Sequence, residues 1–148
     1  MIINYMGTKM SQHGDLNPCQ SKTKLTYFIR NYVFPGGWIP SLAEAITAME
    51  RAGLEILDIE NLRRNYALTL DAWGERFDAN WDHIRAIDPK QFDERFRRIW
   101  RTYLYSCAEM FRASRGYTHL FQITYSRGNV GSGYPMSRAH LYTEDSTH

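Results

Sequence analysis

The sequence predicts an α/β fold, on three observations. Short apolar segments of strand length alternate with helical patterns along the chain. Two long amphipathic helices are expected before the last strand. The 148 residues are 43% hydrophobic and 23% charged, a composition typical of one globular domain with a real core. Because a helix separates the first two strands, we expect these strands to pair in parallel.

The first part of the chain is expected to form a strand, a loop and a short helix. Met1 to Met6 is an apolar segment of strand length. Gly7 to Lys24 is polar and contains glycine and proline, which is typical of a loop. Leu25 to Val33 is apolar and aromatic and favours a short helix or turn. A strand at residue 1 is unusual for a complete domain, so we expect preceding elements to be missing.

A capped helix and a second strand follow. Ser41 is a good N-cap, and Glu44 three residues later completes a capping box. Apolar residues then repeat at helical spacing until Gly53, which is typical of a left-handed helix stop. The apolar segment Leu54 to Ile59 is expected to be the second strand.

The two long helices, the last strand and a tail complete the chain. The first helix is expected to present one apolar face, formed by Tyr66, Leu70, Trp73, Phe77, Trp81 and Ile84. The second has a face formed by Phe92, Phe96, Ile99, Trp100, Tyr103, Cys107 and Phe111. Asp88-Pro89 marks the break between them. Thr118 to Ser126 is expected to be the last strand, and the glycine-rich residues 128–148 a flexible tail.

Charge, cysteines and histidines exclude several kinds of function. A net charge of +2 is too small to predict a nucleic-acid partner. Cys19 and Cys107 lie far apart, and no metal-ligand spacing joins them to the histidines, so no metal site is expected. Two separate cysteines are typical of a reduced cytosolic protein. The histidines are interpreted as surface or loop residues: His13, His83, His119, His140 and His148. No apolar run is long enough to cross a bilayer, so any membrane contact is expected to be peripheral.

Two motifs are more specific than these patterns. The run Phe34-Pro35-Gly36-Gly37-Trp38-Ile39-Pro40-Ser41 is followed downstream by Tyr66-Ala67-Leu68-Thr69-Leu70-Asp71-Ala72-Trp73. In this order, and with the helix from Trp100 to Phe111, they resemble the C-terminal part of the cyclopropane-fatty-acyl-phospholipid synthases and mycolic-acid cyclopropane synthases. The resemblance covers Ile2 to about Arg127. It implies that residues 1–127 are the C-terminal portion of a class I S-adenosylmethionine (SAM) dependent methyltransferase sheet, which is Rossmann-like, with the two long helices on the substrate side.

The resemblance also implies a reaction and a site. The family transfers a methylene group from SAM to a cis double bond of an unsaturated acyl chain, with a bound bicarbonate ion as the base. Tyr66 matches the catalytic tyrosine that holds bicarbonate, and Asn4 and Met6 match two further bicarbonate-binding positions. Asn4 replaces a histidine, so it can donate a hydrogen bond but cannot be protonated. From spacing alone, Tyr66 is a core tyrosine, and Asn4 and Met6 are ordinary strand residues.

Aromatic stripes on the two long helices have two interpretations. At helical spacing such residues usually form core. The resemblance implies that some line the acyl-chain channel, with the candidates Trp73, Phe77, Trp100, Tyr103 and Phe111. A series of arginines makes the second helix region basic, either as a solvated face or as a surface for anionic phospholipid head groups: Arg95, Arg97, Arg98, Arg101, Arg112 and Arg115.

The sequence contains no Asp-x-Gly-x-Gly segment, the glycine loop on which SAM binds in such folds. We therefore expect no cofactor to bind tightly to this chain alone and no methyl transfer by it. The expected partners are unsaturated phospholipid at the inner, cytoplasmic membrane face and a second copy or a complementing N-terminal chain, without nucleic acid. Three alternatives stay open: a non-catalytic lipid-surface or partner-binding module, an enzyme that methylates lipid without closing a ring, and a basic, aromatic RNA binder.

Overall fold

Three strands form one sheet in the computed structural model, which describes residues 2–8, 24–37, 39–114 and 118–142. The strands are β1 (Ile2–Thr8), β2 (Leu54–Asn61) and β3 (Thr118–Arg127). The helices are α1 (Lys24–Phe28), α2 (Leu42–Arg51), α3 (Arg63–Ala79), α4 (Trp81–Ile87) and α5 (Glu94–Arg112), with a π-helical turn at Ile29–Val33 and a 3-10 turn at Arg138–Leu141. The predicted α/β class is confirmed. Trp38 and most of the predicted loop, residues 9–23, lie outside the described residues.

The strand order is β1-β3-β2, and β3 runs antiparallel to both neighbours. The expected parallel pairing of the first two strands was therefore wrong, because β3 lies between them. β3 carries the buried side chains Phe121 and Ile123, which suits it to the central position. β1 and β2 still point in the same direction. Their carboxyl ends consequently meet at one edge of the sheet, beside the amino end of β3.

The predicted capping box starts α2. The Ser41 hydroxyl accepts a hydrogen bond from the Glu44 amide, and the Glu44 carboxylate accepts one from the Ser41 amide at 2.6 Å. These hydrogen bonds from Ser41, the backbone one foremost, hold the pKa of Glu44 below its usual value. Gly53 ends the turn after α2 with a φ of 75°, as the sequence predicts.

The first long helix is shorter than expected, because it breaks at Asn80 into α3 and the short α4. The Asn80 side chain donates to the Arg76 carbonyl oxygen at 2.8 Å and shares this acceptor with its own amide at 3.1 Å, a side-chain bond that competes with regular helix at this position. α5 starts at its Asp93 cap, which accepts from the Phe96 amide at 2.8 Å. No helix within the described ranges has both the length and the apolar composition to cross a membrane.

The core lies between α3 and α5. Leu70 and Phe111 are almost completely buried there, and the π-helical turn packs against the same cluster. Gly74 lets the two helices approach, because a Cβ at this position would lie 2.9 Å from the ring of Tyr105. The close packing of α3 on α5 fixes how the start of α3 is presented at the sheet edge.

Residues 128–142, part of the predicted tail, contact β2. The Val130 amide donates to the Glu55 carboxylate at 2.6 Å, and Arg138 forms an ion pair with Asp58 at 2.6 Å. These contacts tie the segment to the sheet. The domain boundary at residue 127 stays a prediction.

Candidate functional site

The sheet edge where β1 and β2 end also receives the start of α3. The Leu62 amide donates to the Leu120 carbonyl oxygen of β3 at 2.8 Å, and the Tyr66 amide donates to the Leu62 carbonyl oxygen at 2.9 Å. Leu120 in turn is the register partner of Met6, and Asn4 lies two positions earlier in β1. The structure therefore brings the backbones of Asn4 and Met6 and the first turn of α3, which carries Tyr66, to the same edge of the sheet.

Tyr66 occupies an aromatic environment at this edge. Its half-buried ring meets the rings of Phe111 and Trp73 edge-on, at centroid distances of 4.9 and 5.9 Å. Burial, and secondarily the nearby Cys107, raises the pKa of Tyr66 above its ordinary value. The Tyr66 hydroxyl has no hydrogen-bond partner within the part of the chain that the structure describes. It is thus a protonated donor at neutral pH that can serve an anion.

Arg63 fixes the start of α3 to the end of α5. Its guanidinium donates from Nη1 to the carbonyl oxygens of Phe111 and Ala113, the latter at 3.1 Å. These carbonyls belong to the last turn of α5 and the residue after it, where helical partners are missing and a positive charge is favourable. Arg63 therefore holds Phe111 beside Tyr66.

Asn61 and His119 link β2 to β3 at the same edge. Asn61 Oδ1 accepts from the Arg63 amide at 3.1 Å, and Asn61 Nδ2 lies 3.0 Å from His119 Nδ1. Because the first bond orients the amide, Nδ2 donates and His119 Nδ1 accepts, which places the ring proton of neutral His119 on Nε2. The interpretation of His119 as a surface or loop residue was wrong, since it is a half-buried residue of β3 stacked on Phe121. Asn61 and His119 are 58 residues apart, and no local motif connects them.

The five acyl-channel candidates fall into two ring clusters. Trp73 and Phe111 contact Tyr66, in what we term the Tyr66 cluster. The second, the Trp100 cluster, joins these rings: Phe34, Tyr103, Trp100, Phe96, Phe92, Phe77 and Trp81. Trp73 is 42% exposed, whereas Phe111 and Tyr103 are buried.

Cys107 lies near both clusters, since its thiol contributes to the raised pKa values of Tyr66 and Tyr103. Burial raises the pKa of Cys107 itself from an ordinary 9.0 to about 12, so the thiol stays protonated and unreactive at neutral pH. The Tyr66 cluster and the Trp100 cluster thus meet at the uncharged Cys107 thiol.

Most of the arginines of α5 are engaged within the molecule. Arg101 pairs with Asp78 of α3 at 3.1 Å, Arg112 pairs with Asp71 and Glu109, and Arg97 lies over a tryptophan ring at 5.3 Å. These contacts join α5 to its neighbours, so this face has less charge to offer an external partner than the sequence suggests. Arg115 lies outside the described residues.

Within the described residues, the segments that follow β2 and β3 do not fit SAM. β2 runs into α3 through Leu62 alone, and β3 is followed by residues 128–142 with a single 3-10 turn. Neither junction provides the glycine loop and helix amino terminus that a dinucleotide-like cofactor requires.

Comparisons with known proteins identify the family of the chain. The family model described as mycolic acid cyclopropane synthetase matches residues 3–123. A probable fatty acid methyltransferase of Pseudomonas putida is 41% identical over 119 residues, and the cyclopropane-fatty-acyl-phospholipid synthase of Escherichia coli K12 is 36% identical over 111 residues. The matches cover 78% and 75% of this chain but only 28% and 27% of those proteins.

A solved structure gives the same picture of the fold. Mycolic acid cyclopropane synthase CmaA1, in complex with SAH and CTAB, superposes with a TM-score of 0.65 at 25% identity. The superposition covers 84% of this chain and 43% of that one. The chain spans less than half the length of the proteins it matches.

Proposed function

The chain belongs to the mycolic acid cyclopropane synthetase family, and on this premise we propose that it is the C-terminal part of a SAM-dependent cyclopropane-fatty-acyl-phospholipid synthase. The reaction transfers a methylene group to a cis double bond of an unsaturated phospholipid acyl chain. The observation that carries the proposal is the Tyr66 hydroxyl, which has no hydrogen-bond partner within the described residues and belongs to a helix whose start is bonded to β3 beside the end of β1. SAM binds to residues outside this chain's described elements, so the isolated chain is inactive.

Tyr66 and the end of β1 hold the bicarbonate ion. The phenol donates to the anion, and Asn4 and Met6 of β1 complete its contacts. In support, Met6 pairs in register with Leu120, whose carbonyl oxygen accepts from the Leu62 amide just before α3. Bicarbonate, when bound, supplies the base that removes a proton, an effect of about 10²–10⁴ in rate. The raised pKa of Tyr66 keeps the phenol neutral, so it does not repel the anion.

The aromatic rings near Tyr66 exclude water and stabilise positive charge. The face of the partly exposed Trp73 attracts a cation by roughly 0.5–2 kcal/mol when desolvated, and the buried Phe111 packs behind the Tyr66 ring. Phe77, Trp100 and Tyr103 form the opposite wall of the acyl path through the Trp100 cluster. The substrate reaches this wall from a membrane surface, with the enzyme bound peripherally on the cytoplasmic face.

Residues 1–127 supply the C-terminal part of the methyltransferase domain. We infer that the elements which precede these residues in the family, on the same polypeptide or on a complementing N-terminal chain, provide the cofactor site. This assignment accounts for the small share of the relatives' length that the chain covers.

A chimaera tests the proposed function. The segment of the E. coli synthase that matches this chain is replaced by residues 1–127, and cyclopropane acyl chains are measured by gas chromatography after incubation with SAM and cis-unsaturated phospholipid. The chimaera is expected to form cyclopropane, and the isolated chain is expected to form none. A well-folded chimaera that forms only a methyl-branched product would assign the chain to lipid methylation instead. Turnover of SAM by the isolated chain would refute the proposal that the cofactor site lies outside this chain.

A further inference from the structure

Residues 24–37, which we term the aromatic segment, expose three large rings to solvent. Tyr27 is 67% exposed, Tyr32 49% and Phe34 50%. The opposite side of the segment is packed within the molecule, because Phe28, Ile29 and Val33 contact the α3–α5 core. The exposed rings are therefore apolar surface beyond what the fold needs, concentrated on eight consecutive residues.

The sequence that flanks these rings carries charge of one sign. Between Asp15 and Glu44 the sequence contains three basic residues, Lys22, Lys24 and Arg30, and no aspartate or glutamate. Arg30 is exposed and forms no ion pair within the described ranges. The arginines of α5 differ, since Arg101 and Arg112 are paired with carboxylates.

The aromatic segment is continuous with the Trp100 cluster. The Phe34 ring meets the Tyr103 ring edge-on at 5.5 Å, and Tyr103 meets Trp100 at 5.7 Å. An apolar molecule that leaves a bilayer at this segment would pass directly onto the rings that we assign to the acyl path.

We propose that the aromatic segment is the surface with which the protein docks on an anionic lipid bilayer, an inference that rests on the proposed function for its lipid substrate. Tyrosine and phenylalanine rings insert at the head-group level, where such amphipathic rings are favoured. The exposed Arg30 attracts the negative leaflet by about 1 kcal/mol. The docking surface is thus on the aromatic segment and not on the arginines of α5.

Co-sedimentation of the full 148-residue chain with vesicles tests this surface. Binding is expected to vesicles rich in phosphatidylglycerol at low salt, and to weaken at high salt and on pure phosphatidylcholine. Arg30→Gln is expected to weaken binding about fivefold. The double variant Tyr27→Ser with Tyr32→Ser is expected to weaken it by about tenfold or more, since it removes most of the inserted apolar area.

Two matched controls separate this surface from general charge and hydrophobicity. Arg95→Gln removes one exposed charge from α5, and Leu68→Ser removes an exposed apolar side chain from α3; both should bind like the original chain. Circular dichroism verifies folding. Should the double tyrosine variant unfold, Arg30→Gln still decides, because its side chain is exposed.

Three results would overturn the proposal: no binding to phosphatidylglycerol vesicles at low salt, equal binding by Arg30→Gln and the original chain, or weakening by Arg95→Gln instead. A dimer in sedimentation velocity that the tyrosine changes dissociate, without vesicle binding, would assign the surface to a second copy. Vesicle binding needs no turnover. An inactive chimaera with intact docking would therefore remove the proposed function and leave the docking surface standing.

Discussion

Replacing Arg63 by methionine should loosen the site without disturbing the chain's charge pattern elsewhere. The long apolar stem is kept, but the guanidinium that bonds the carbonyl oxygens of Phe111 and Ala113 is lost. The end of α5 then lacks both hydrogen bonds and a favourable charge, so Phe111 is no longer held beside Tyr66.

The cost follows from the burial of these bonds. A hydrogen bond to a charged group contributes about 1.5–3 kcal/mol when buried. Here the bond to Phe111 is partly buried and the bond to Ala113 is exposed, so the second contributes much less. With the helix-terminus effect of about 0.5 kcal/mol, the free energy of unfolding should fall by about 2–3 kcal/mol. For a chain of this size, this lowers Tm by about 5–10 °C.

Urea unfolding followed by far-UV circular dichroism measures this loss. Arg64→Met is the matched control, since the exposed Arg64 forms no hydrogen bond or ion pair within the described ranges. Its effect should stay within about 0.5 kcal/mol. Equal unfolding midpoints for the two variants would refute the role of Arg63 as the link between α3 and α5.

Three further outcomes are expected. The pKa of the Cys107 thiol is about 12 in the folded chain and 9.0 when unfolded. The free energy of unfolding is therefore unaffected by this group below pH 9 and falls by about 1.4 kcal/mol per pH unit above it. In Cys107→Ala, the free energy of unfolding should decline less steeply between pH 8 and 11, as measured by denaturation. Ser41→Ala, which removes one half of the capping box with Glu44, should cost about 1 kcal/mol in the same denaturation assay. Gly74→Ala should leave the free energy of unfolding unchanged, because displacing the Tyr105 ring offsets the gain of about 1 kcal/mol in helix propensity. When Tyr105 is also replaced by alanine, the variant should show this gain.

Local signals in the sequence predict the elements well. The Ser41–Glu44 capping box, the stop at Gly53 and the break at Asp88-Pro89 each involve neighbouring residues, and the structure confirms them. The end of α3 was misplaced, because the apolar face continues past Asn80 to Trp81 although the helix does not. The spacing of apolar residues predicts which side of a helix is buried. A side-chain bond to the backbone can interrupt the helix while the buried side continues across the break.

Contacts between distant segments could not be predicted in the same way. The insertion of β3 between β1 and β2 depends on which strand buries more apolar surface, and no motif in either strand encodes it. The link from Asn61 to His119 joins positions 58 residues apart. Tyr66 could be selected only through the surrounding motif, since its spacing alone is that of a core residue.

The role of Tyr66 can be measured most directly in the active chimaera. Tyr66→Phe removes only the hydroxyl, and the rate of cyclopropane formation should fall by about 10²–10⁴ while phospholipid binding is unchanged. Tyr105→Phe, which removes a tyrosine hydroxyl bonded to Asp78 on the far part of α3, should leave the rate unchanged. A Tyr66→Phe chimaera that forms cyclopropane at the rate of its parent would contradict the assignment of this hydroxyl to the anion site.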